Sequence, residues 1–137
     1  SKLLASSDVL SSATKNVHGV GTDVELISSI SHENPTFLKR NFTAAELDYC
    51  HTASDFRASL AGRWSAKEAV FKSLKVESRG AGASLIDIEI VNTTTGPAVV
   101  LHGDAKAAAD LKGVRSFELS ISHSEDCVVA VAISSLA

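Results

Sequence analysis

The sequence is poor in several residue types that often mark a special environment. Its 137 residues include no methionine, two prolines, two cysteines, one tryptophan and one tyrosine. It has no apolar run near the roughly 18 residues that a membrane-spanning helix requires, and no secretory leader. The two thiols, Cys50 and Cys127, form no CxxC metal-binding pattern. We therefore expect a cytoplasmic protein with reduced cysteines and no membrane partner.

An excess of basic residues and the common nucleotide motifs are also absent. The net charge is −3 and the pI is near 5.9, so we expect no nucleic acid partner. The sequence contains no GxGxxG, GxxxxGK[ST] or GxSxG element, which excludes the usual dinucleotide loop, P-loop and nucleophile elbow. Its 45% hydrophobic and 21% charged residues are typical of one globular domain.

The first 16 residues differ from the rest of the chain. SKLLASSDVLSSATKN is rich in serine and lacks a methionine at its start. We interpret residues 1–16 as a linker or disordered lead-in, and residues 17–137 as a single domain that belongs to a longer polypeptide.

The hydrophobic pattern changes from helical to alternating along the chain. Asn34-Pro35 and a Thr43/Glu46 capping box begin two short helices, and Ser54 is the predicted N-cap of a long one, about 30 Å in length. We expect an α+β domain in which this long central helix packs on a mostly antiparallel sheet. The predicted elements are a strand at 17–23, helices at 35–41, 44–51, 55–75 and, capped by Asp104, 105–112, a flexible glycine loop at 79–84, and strands at 84–92, 98–103, 116–124 and 127–135.

Two of the polar segments in this pattern could hold a metal ion. In GTDVE, strand alternation places Asp23 and Glu25 on one face, which suits a hard cation such as Mg²⁺; a solvated loop with two acids is the alternative. In WSAKEAVFKSL, residues 64–74, Trp64, Glu68 and Lys72 are four residues apart and share one helix stripe. A surface ion pair of about 0.3–0.5 kcal/mol is the alternative there.

A third polar segment, SISHSED, ends a predicted strand. Ser122, His123 and Ser124 offer hydroxyl and imidazole groups that suit phosphate oxygens, although a simple turn would use the same residues. Taken separately, each of the three segments remains open to its ordinary structural interpretation.

Taken together, the three segments resemble one family. Gly21-Thr22-Asp23, residues 64–72 (WSAKEAVFK) and residues 120–124 (SISHS) follow in the order seen in 4′-phosphopantetheinyl transferases of the holo-acyl-carrier-protein synthase type. The hallmark segments of that family read approximately G-[IV]-D and [FW]-[SAT]-x-K-E-[SA]-x-x-K, and Thr22 replaces the usual aliphatic residue. Within this family, the sequence most resembles the C-terminal transferase domains of fungal fatty acid synthase alpha subunits.

The resemblance implies a transferase fold and a specific reaction. Members move the phosphopantetheine arm of coenzyme A to a serine of an acyl carrier protein, with Mg²⁺ as cofactor and adenosine 3′,5′-bisphosphate as the second product. It implies Asp23, Glu25 and Glu68 as metal ligands, Glu68 as general base, and Lys72 at the diphosphate. A homotrimer with its sites between subunits, within a large fatty acid synthase, is also implied. The alternative is a noncatalytic module that docks coenzyme A or the carrier.

The same resemblance implies which residues contact coenzyme A. Trp64 is not among them, because we expect it to pack the helix against the rest of the fold. The residues expected to contact the coenzyme are Asp23, Val24, Glu25, Tyr49, Ser59, Arg63, Lys67, Glu68, Lys72, Asn92, Thr93, Thr94, Thr95, Ser122, His123 and Ser124.

Overall fold

An 18-residue helix, Phe56–Ser73, forms the centre of the fold. The computed structural model describes residues 16–76 and 84–136. Apart from Asn16 and Ser84, the predicted lead-in and glycine loop lie outside the described residues. The elements are β1 (Val17–Leu26), α1 (Pro35–Asn41), α2 (Ala44–Thr52), α3 (Phe56–Ser73), β2 (Ile88–Thr93), β3 (Gly96–Leu101), α4 (Gly103–Lys112), β4 (Ser116–His123) and β5 (Cys127–Ser135), with short 3₁₀ turns at Ile27–Ser29 and Leu85–Asp87.

The strands form two antiparallel sheets on which α3 packs. One sheet has the order β1-β5-β4, and the second is the β2-β3 hairpin. In the first sheet Asp23 pairs with Ala130, which pairs with Ile121, while Glu25, Val128 and His123 form the next row. Small and apolar residues of β5, including Val128, Ala130 and Ala132, are fully buried on its inner face. The predicted α+β architecture, a long helix on a mostly antiparallel sheet, is confirmed.

Two glycines allow β1 to lie directly against α3. A Cβ atom added to Gly21 would collide with the Ala69 carbonyl oxygen, and one added to Gly19 would collide with the Ser73 carbonyl oxygen. The strand therefore packs backbone to backbone on the helix. This close approach brings the next inward-facing residue of β1, Asp23, alongside the middle of α3.

Several predicted element ends need correction. The long helix is capped by Asp55 rather than Ser54, because the Asp55 carboxylate accepts a hydrogen bond from the Ala58 amide at 3.1 Å. Residues 85–87 form a 3₁₀ turn, closed by the Asp87 amide on the Ser84 carbonyl, so β2 begins only at Ile88. The helix expected from residue 105 begins at Gly103, after His102, so Asp104 lies in its first turn.

The predicted caps of α1 and α2, the end of α4 and the free state of both cysteines are confirmed. Asn34 caps α1 and the Thr43/Glu46 capping box opens α2. Helix α4 ends at Gly113, whose φ of 75° is the left-handed conformation that glycine favours. Cys50 and Cys127 are free thiols. Among the described residues, none of the helices has the length and apolarity to cross a membrane.

Candidate active site

Three carboxylates meet where β1 crosses α3. Asp23 and Glu25 face inward from the strand, as their alternation predicted, and Glu68 faces them from the helix and is 7% exposed. Burial raises the pKa of Glu25, and the neighbouring Asp23 and Glu68 raise it further, while a hydrogen bond from Trp64 acts in the opposite direction. Burial is the main cause, and the smaller contributions of Asp23 and Glu68 show that Glu25 senses both neighbouring carboxylates.

Asp23 is the most constrained member of this cluster. Its side chain is 8% exposed, and its Oδ1 accepts a hydrogen bond at 3.2 Å from Lys72, which also donates to the Thr22 carbonyl at 2.9 Å. Its Oδ2 is buried and has no hydrogen-bond partner within the described part of the chain. A groove of about 370 Å³ opens beside it, lined by Thr22, Asp23, Val24, Lys72 and Val129. An unpartnered buried carboxylate oxygen next to open volume is suited to receive a cation.

The donor set fits Mg²⁺ in one specific way. Within residues 16–76 and 84–136, no three His, Cys, Asp or Glu side chains lie close enough to form a complete metal site. Mg²⁺ commonly binds through only one or two carboxylates, with waters and substrate phosphates completing its octahedron. The buried Asp23 Oδ2 and the mutually repelling Glu25 and Glu68 therefore fit a metal that is shared with a phosphate substrate.

A separate pocket of about 320 Å³ lies one helical turn nearer the start of α3. The Arg63 guanidinium stands 4.0 Å from the centroid of the Tyr49 ring and donates to Asn92 Oδ1 at 2.9 Å. Its Nε is buried and lacks a hydrogen-bond partner among the described residues. An N–H of this kind beside a pocket is suited to an anionic ligand. The pocket is lined by Tyr49, Ala53, Ser54, Asp55, Ala58, Ser59, Gly62, Arg63, Asn92, Pro97, Ile121, His123 and Val128.

The strand end at β4 is divided between two faces. His123 continues the inward row of Ile121 and lines the pocket. Alternation turns Ser122 to the outer face of the sheet, away from this pocket, so its contact with the same ligand stays a prediction. Ser124 also lies outside the pocket lining: its hydroxyl accepts a hydrogen bond from the Cys127 amide at 3.4 Å and stabilises the β4-β5 turn.

Of the four residues of the β2-β3 hairpin predicted to contact the coenzyme, one lines this pocket. Asn92 lines the pocket, whereas Thr93, Thr94 and Thr95 do not. The Thr93 hydroxyl donates to the Gly96 carbonyl at 2.7 Å and accepts from the Thr95 amide, so these groups are used inside the turn.

Lys67 is the clearest departure from the predicted site. Its side chain is fully buried, with the ammonium 2.7 Å from the Glu46 carboxylate and within hydrogen-bond distance of the Leu85 and Ile88 carbonyls. Burial lowers its pKa, and Glu46 acts in the opposite direction. The predicted coenzyme contact by Lys67 is therefore wrong, because every donor of this ammonium faces protein groups.

Trp64 packs as expected and also has a polar contact that was not foreseen. Its ring lies 5.2 Å from that of Phe37 and 6.3 Å from that of Phe42. In addition it hydrogen-bonds to Glu25. Sequence analysis also missed Asp55, Gly62 and Ile121 as pocket residues, and only the capping position of Asp55 carried a detectable signal.

Comparisons with known proteins agree with this arrangement. The family model described as the 4′-phosphopantetheinyl transferase superfamily matches residues 19–132. The chain is 55% identical over 126 residues to the fatty acid synthase subunit alpha of Candida albicans, covering 91% of this chain and 7% of that protein. It is 57% identical over 117 residues to the subunit alpha of Saccharomyces cerevisiae, covering 85% of this chain and 6% of that protein. The chain thus spans only about 7% of the length of these relatives.

Solved structures give the same result for the fold. The holo-[acyl-carrier-protein] synthase of Neisseria meningitidis superposes with a TM-score of 0.76 at 29% identity, covering 86% of this chain and 98% of that one. The corresponding synthase of Helicobacter pylori, solved in complex with coenzyme A, has a TM-score of 0.72 at 30% identity, covering 85% of this chain and 99% of that one.

Proposed function

The chain belongs to the 4′-phosphopantetheinyl transferase superfamily, and from this we propose that it is a holo-[acyl-carrier-protein] synthase. It transfers 4′-phosphopantetheine from coenzyme A to a serine hydroxyl of an acyl carrier protein and releases adenosine 3′,5′-bisphosphate. The observation that carries the proposal is the buried Asp23 carboxylate, which has one oxygen on Lys72 and the other unpartnered, beside Glu25 and Glu68. This arrangement provides both signs of charge that a diphosphate transfer requires.

The carboxylate cluster forms the reacting end of the site. Asp23 and Glu68 would hold Mg²⁺, with Glu25 supporting it through water, and the ion would supply charge neutralisation at the diphosphate. Glu68 accepts the proton of the attacking serine hydroxyl as its oxygen forms the new bond to phosphorus. The bond from that phosphorus to the bisphosphate oxygen breaks, and Lys72 compensates the charge that develops there. Since Lys72 is half-exposed on a flexible stem, it can turn from Asp23 toward the diphosphate.

The Arg63 pocket forms the nucleoside end of the site. The unpartnered Nε of Arg63, together with His123 and Ser59, offers donors for the phosphate on the ribose of coenzyme A. Tyr49 holds the guanidinium by cation–π contact, and Asn92 holds it by a hydrogen bond. Both ends lie on α3, so one rigid helix sets the spacing between them.

The outer face of the β1-β5-β4 sheet supports a homotrimer. Val20, Val24 and Leu26 of β1 are 59%, 65% and 59% exposed, and Val129 of β5 is 39% exposed. Val24 and Val129 also border the groove at Asp23. An apolar face continuous with a half-open site is explained if other copies of the chain cover it and complete the cleft. A dilution series would then lower specific activity as trimers dissociate in sedimentation velocity; constant activity with monomers present would contradict shared sites.

The relatives suggest the biological setting. The matched curated proteins are fatty acid synthase alpha subunits, so we place this domain in a large cytoplasmic multienzyme of fatty acid synthesis. The carrier domain of such a synthase is its acceptor.

The decisive experiment weighs the acceptor. The chain is incubated with coenzyme A, Mg²⁺ and an apo carrier protein, and the carrier is examined by intact-mass spectrometry. A gain of one phosphopantetheine that disappears with EDTA is expected. Glu68→Gln should lower turnover by about 10²–10⁴-fold while retaining part of the coenzyme binding. Coenzyme binding without any mass gain would favour a noncatalytic docking module instead.

A further inference from the structure

The stripe of α3 that carries Arg63 and Lys67 is joined to its neighbours by two contact layers. Residues four apart on a helix lie on the same face, and both side chains are directed toward α2 and β2. The outer layer consists of Arg63, Tyr49 of α2 and Asn92 of β2. The inner layer consists of Lys67, Glu46 of α2 and the backbone of β2. The two layers have the same composition by element and lie one helical turn, about 5.4 Å, apart.

The inner layer is saturated with polar contacts and has no access to solvent. The Lys67 ammonium lies 2.7 Å from Glu46 Oε1, 3.0 Å from the Leu85 carbonyl and 2.6 Å from the Ile88 carbonyl. The other Glu46 oxygen accepts from the Ile90 amide at 2.9 Å, and Oε1 also accepts from the Thr43 amide at 2.9 Å. Both side chains are 0% exposed. These contacts fix the position of β2 along α3 through two consecutive inward-facing residues, Ile88 and Ile90.

The outer layer depends on that position. Asn92 is the next residue of the same strand face after Ile88 and Ile90, and its amide oxygen holds Arg63 Nη2 at 2.9 Å. Tyr49 follows Glu46 by one turn of α2 and lies against the same guanidinium. A shift of β2 or α2 along α3 would therefore misplace both groups that orient Arg63 in its pocket.

Stability by itself explains this buried pair poorly. Burying two charges is costly, and neutral replacement of both partners is often tolerated or even stabilising. A retained buried pair is better explained when it selects one arrangement among several. We propose that Lys67 and Glu46 are positioning residues for coenzyme binding, which act through Asn92 and Tyr49 on Arg63. This proposal rests on the proposed function, because it takes the Arg63 pocket as the coenzyme site.

A double-mutant cycle tests this proposal. The first block is Lys67→Met with Glu46→Gln, which removes both charges and keeps an acceptor at position 46. The second is Asn92→Ala. Binding of coenzyme A is measured by isothermal titration calorimetry, with thermal unfolding recorded for every variant. Each block should weaken binding about tenfold, and the combination should be no more than about twofold weaker than the worse block, because both act through the same guanidinium.

A matched control removes an ion pair that does not contact the site. Lys106→Met with Asp110→Asn abolishes an exposed pair on α4, 3.1 Å apart, and should leave coenzyme binding unchanged. The kcat of the Lys67/Glu46 block should fall less than its KM for coenzyme A rises, since Glu68 and Lys72 lie on another stripe. If the block does not fold, Glu46→Gln alone takes its place in the cycle.

The outcomes separate this inference from the proposed function. Wild-type chain that binds no coenzyme A would contradict both. Wild-type binding together with unchanged binding by the folded Lys67/Glu46 block would overturn the positioning role alone. So would losses that multiply fully with those of Asn92→Ala.

Discussion

Adding one methyl group at Gly21 should damage the candidate active site more than the fold. A Cβ there would collide with the Ala69 carbonyl oxygen and lie 2.9 Å from the Ala69 carbonyl carbon and 2.8 Å from the Ser73 amide nitrogen. These are backbone atoms of α3, so they cannot swing aside. Ordinary carbon contacts are about 3.5–4.0 Å, and the strand must therefore recede by at least about 1 Å.

The displacement acts on Asp23, the next inward-facing residue. A misplacement of about 1 Å costs on the order of 10²-fold in rate when a reacting group is involved, whereas overpacking of this kind costs about 1–3 kcal/mol of stability. Gly21→Ala should therefore remain folded at moderate temperature, with turnover reduced about 100-fold. It should also bind Mn²⁺ about tenfold more weakly, as followed by electron paramagnetic resonance, because the Asp23 ligand is held off its best geometry.

Gly19→Ala is the matched control for this prediction. Its Cβ would also collide with a helix carbonyl, that of Ser73, but Gly19 is four residues from Asp23 rather than two. Similar unfolding temperatures with a much smaller loss of turnover and Mn²⁺ affinity are expected. Folded Gly21→Ala with near-normal turnover, or equal functional losses in the two variants, would refute the argument that β1 sets the position of Asp23.

Three further predictions concern charges. In the folded chain the pKa of Glu25 is raised above 4.5, so metal-free protein should lose stability as pH rises from 4.5 through the raised pKa. Glu25→Gln, studied by thermal unfolding in EDTA, should remove this loss. The pKa of Glu89 is lowered, chiefly by the Thr43 hydrogen bond, so Glu89→Gln should be less stable than wild type at pH 7. That difference should vanish as pH falls below 4.5 through the lowered value, and a pH-independent difference would contradict it. Lys67→Met alone leaves Glu46 buried and unpaired, which should cost about 3–5 kcal/mol, or roughly 10–18 °C in calorimetry for a chain of this length; adding Glu46→Gln should recover most of it.

Local chemistry made much of the fold predictable. The Asn34 cap and the Thr43/Glu46 capping box depend on atoms within three residues of one another, and the structure reproduces both. The clean alternation of β4 and the glycine after α4 are equally local. The errors arose where local signals competed. Ser54 and Asp55 are both good N-cap residues, and the carboxylate of Asp55 is the one that reaches the Ala58 amide.

The candidate site was predictable in composition but only partly in geometry. Asp23 and Glu25 share one face of β1, as the strand period of two predicts, whereas the approach of Glu68 to them was implied only by the resemblance, because it depends on how β1 packs on α3. The same period of two places Ser122 and His123 on opposite faces of the sheet. The sequence prediction nevertheless assigned residues 122–124 together to one ligand. The Thr93 hydroxyl could have bonded either to the backbone of its own turn or to a ligand. Only the geometry of the hairpin shows that it donates to the Gly96 carbonyl.

The long helix, the strands and the residues that could share a helix stripe were predictable from the order of the amino acids alone. That order did not distinguish the two lysines on either side of Glu68. Lys67 and Lys72 are the same residue on the same helix, yet one is fully buried against Glu46 and the other is half-exposed on Asp23. The difference arises because burial depends on which elements cover each stripe of α3. Helix α2 and strand β2 cover Lys67, whereas the Lys72 side chain lies along β1 and remains half-exposed, and both contacts join residues distant in the chain.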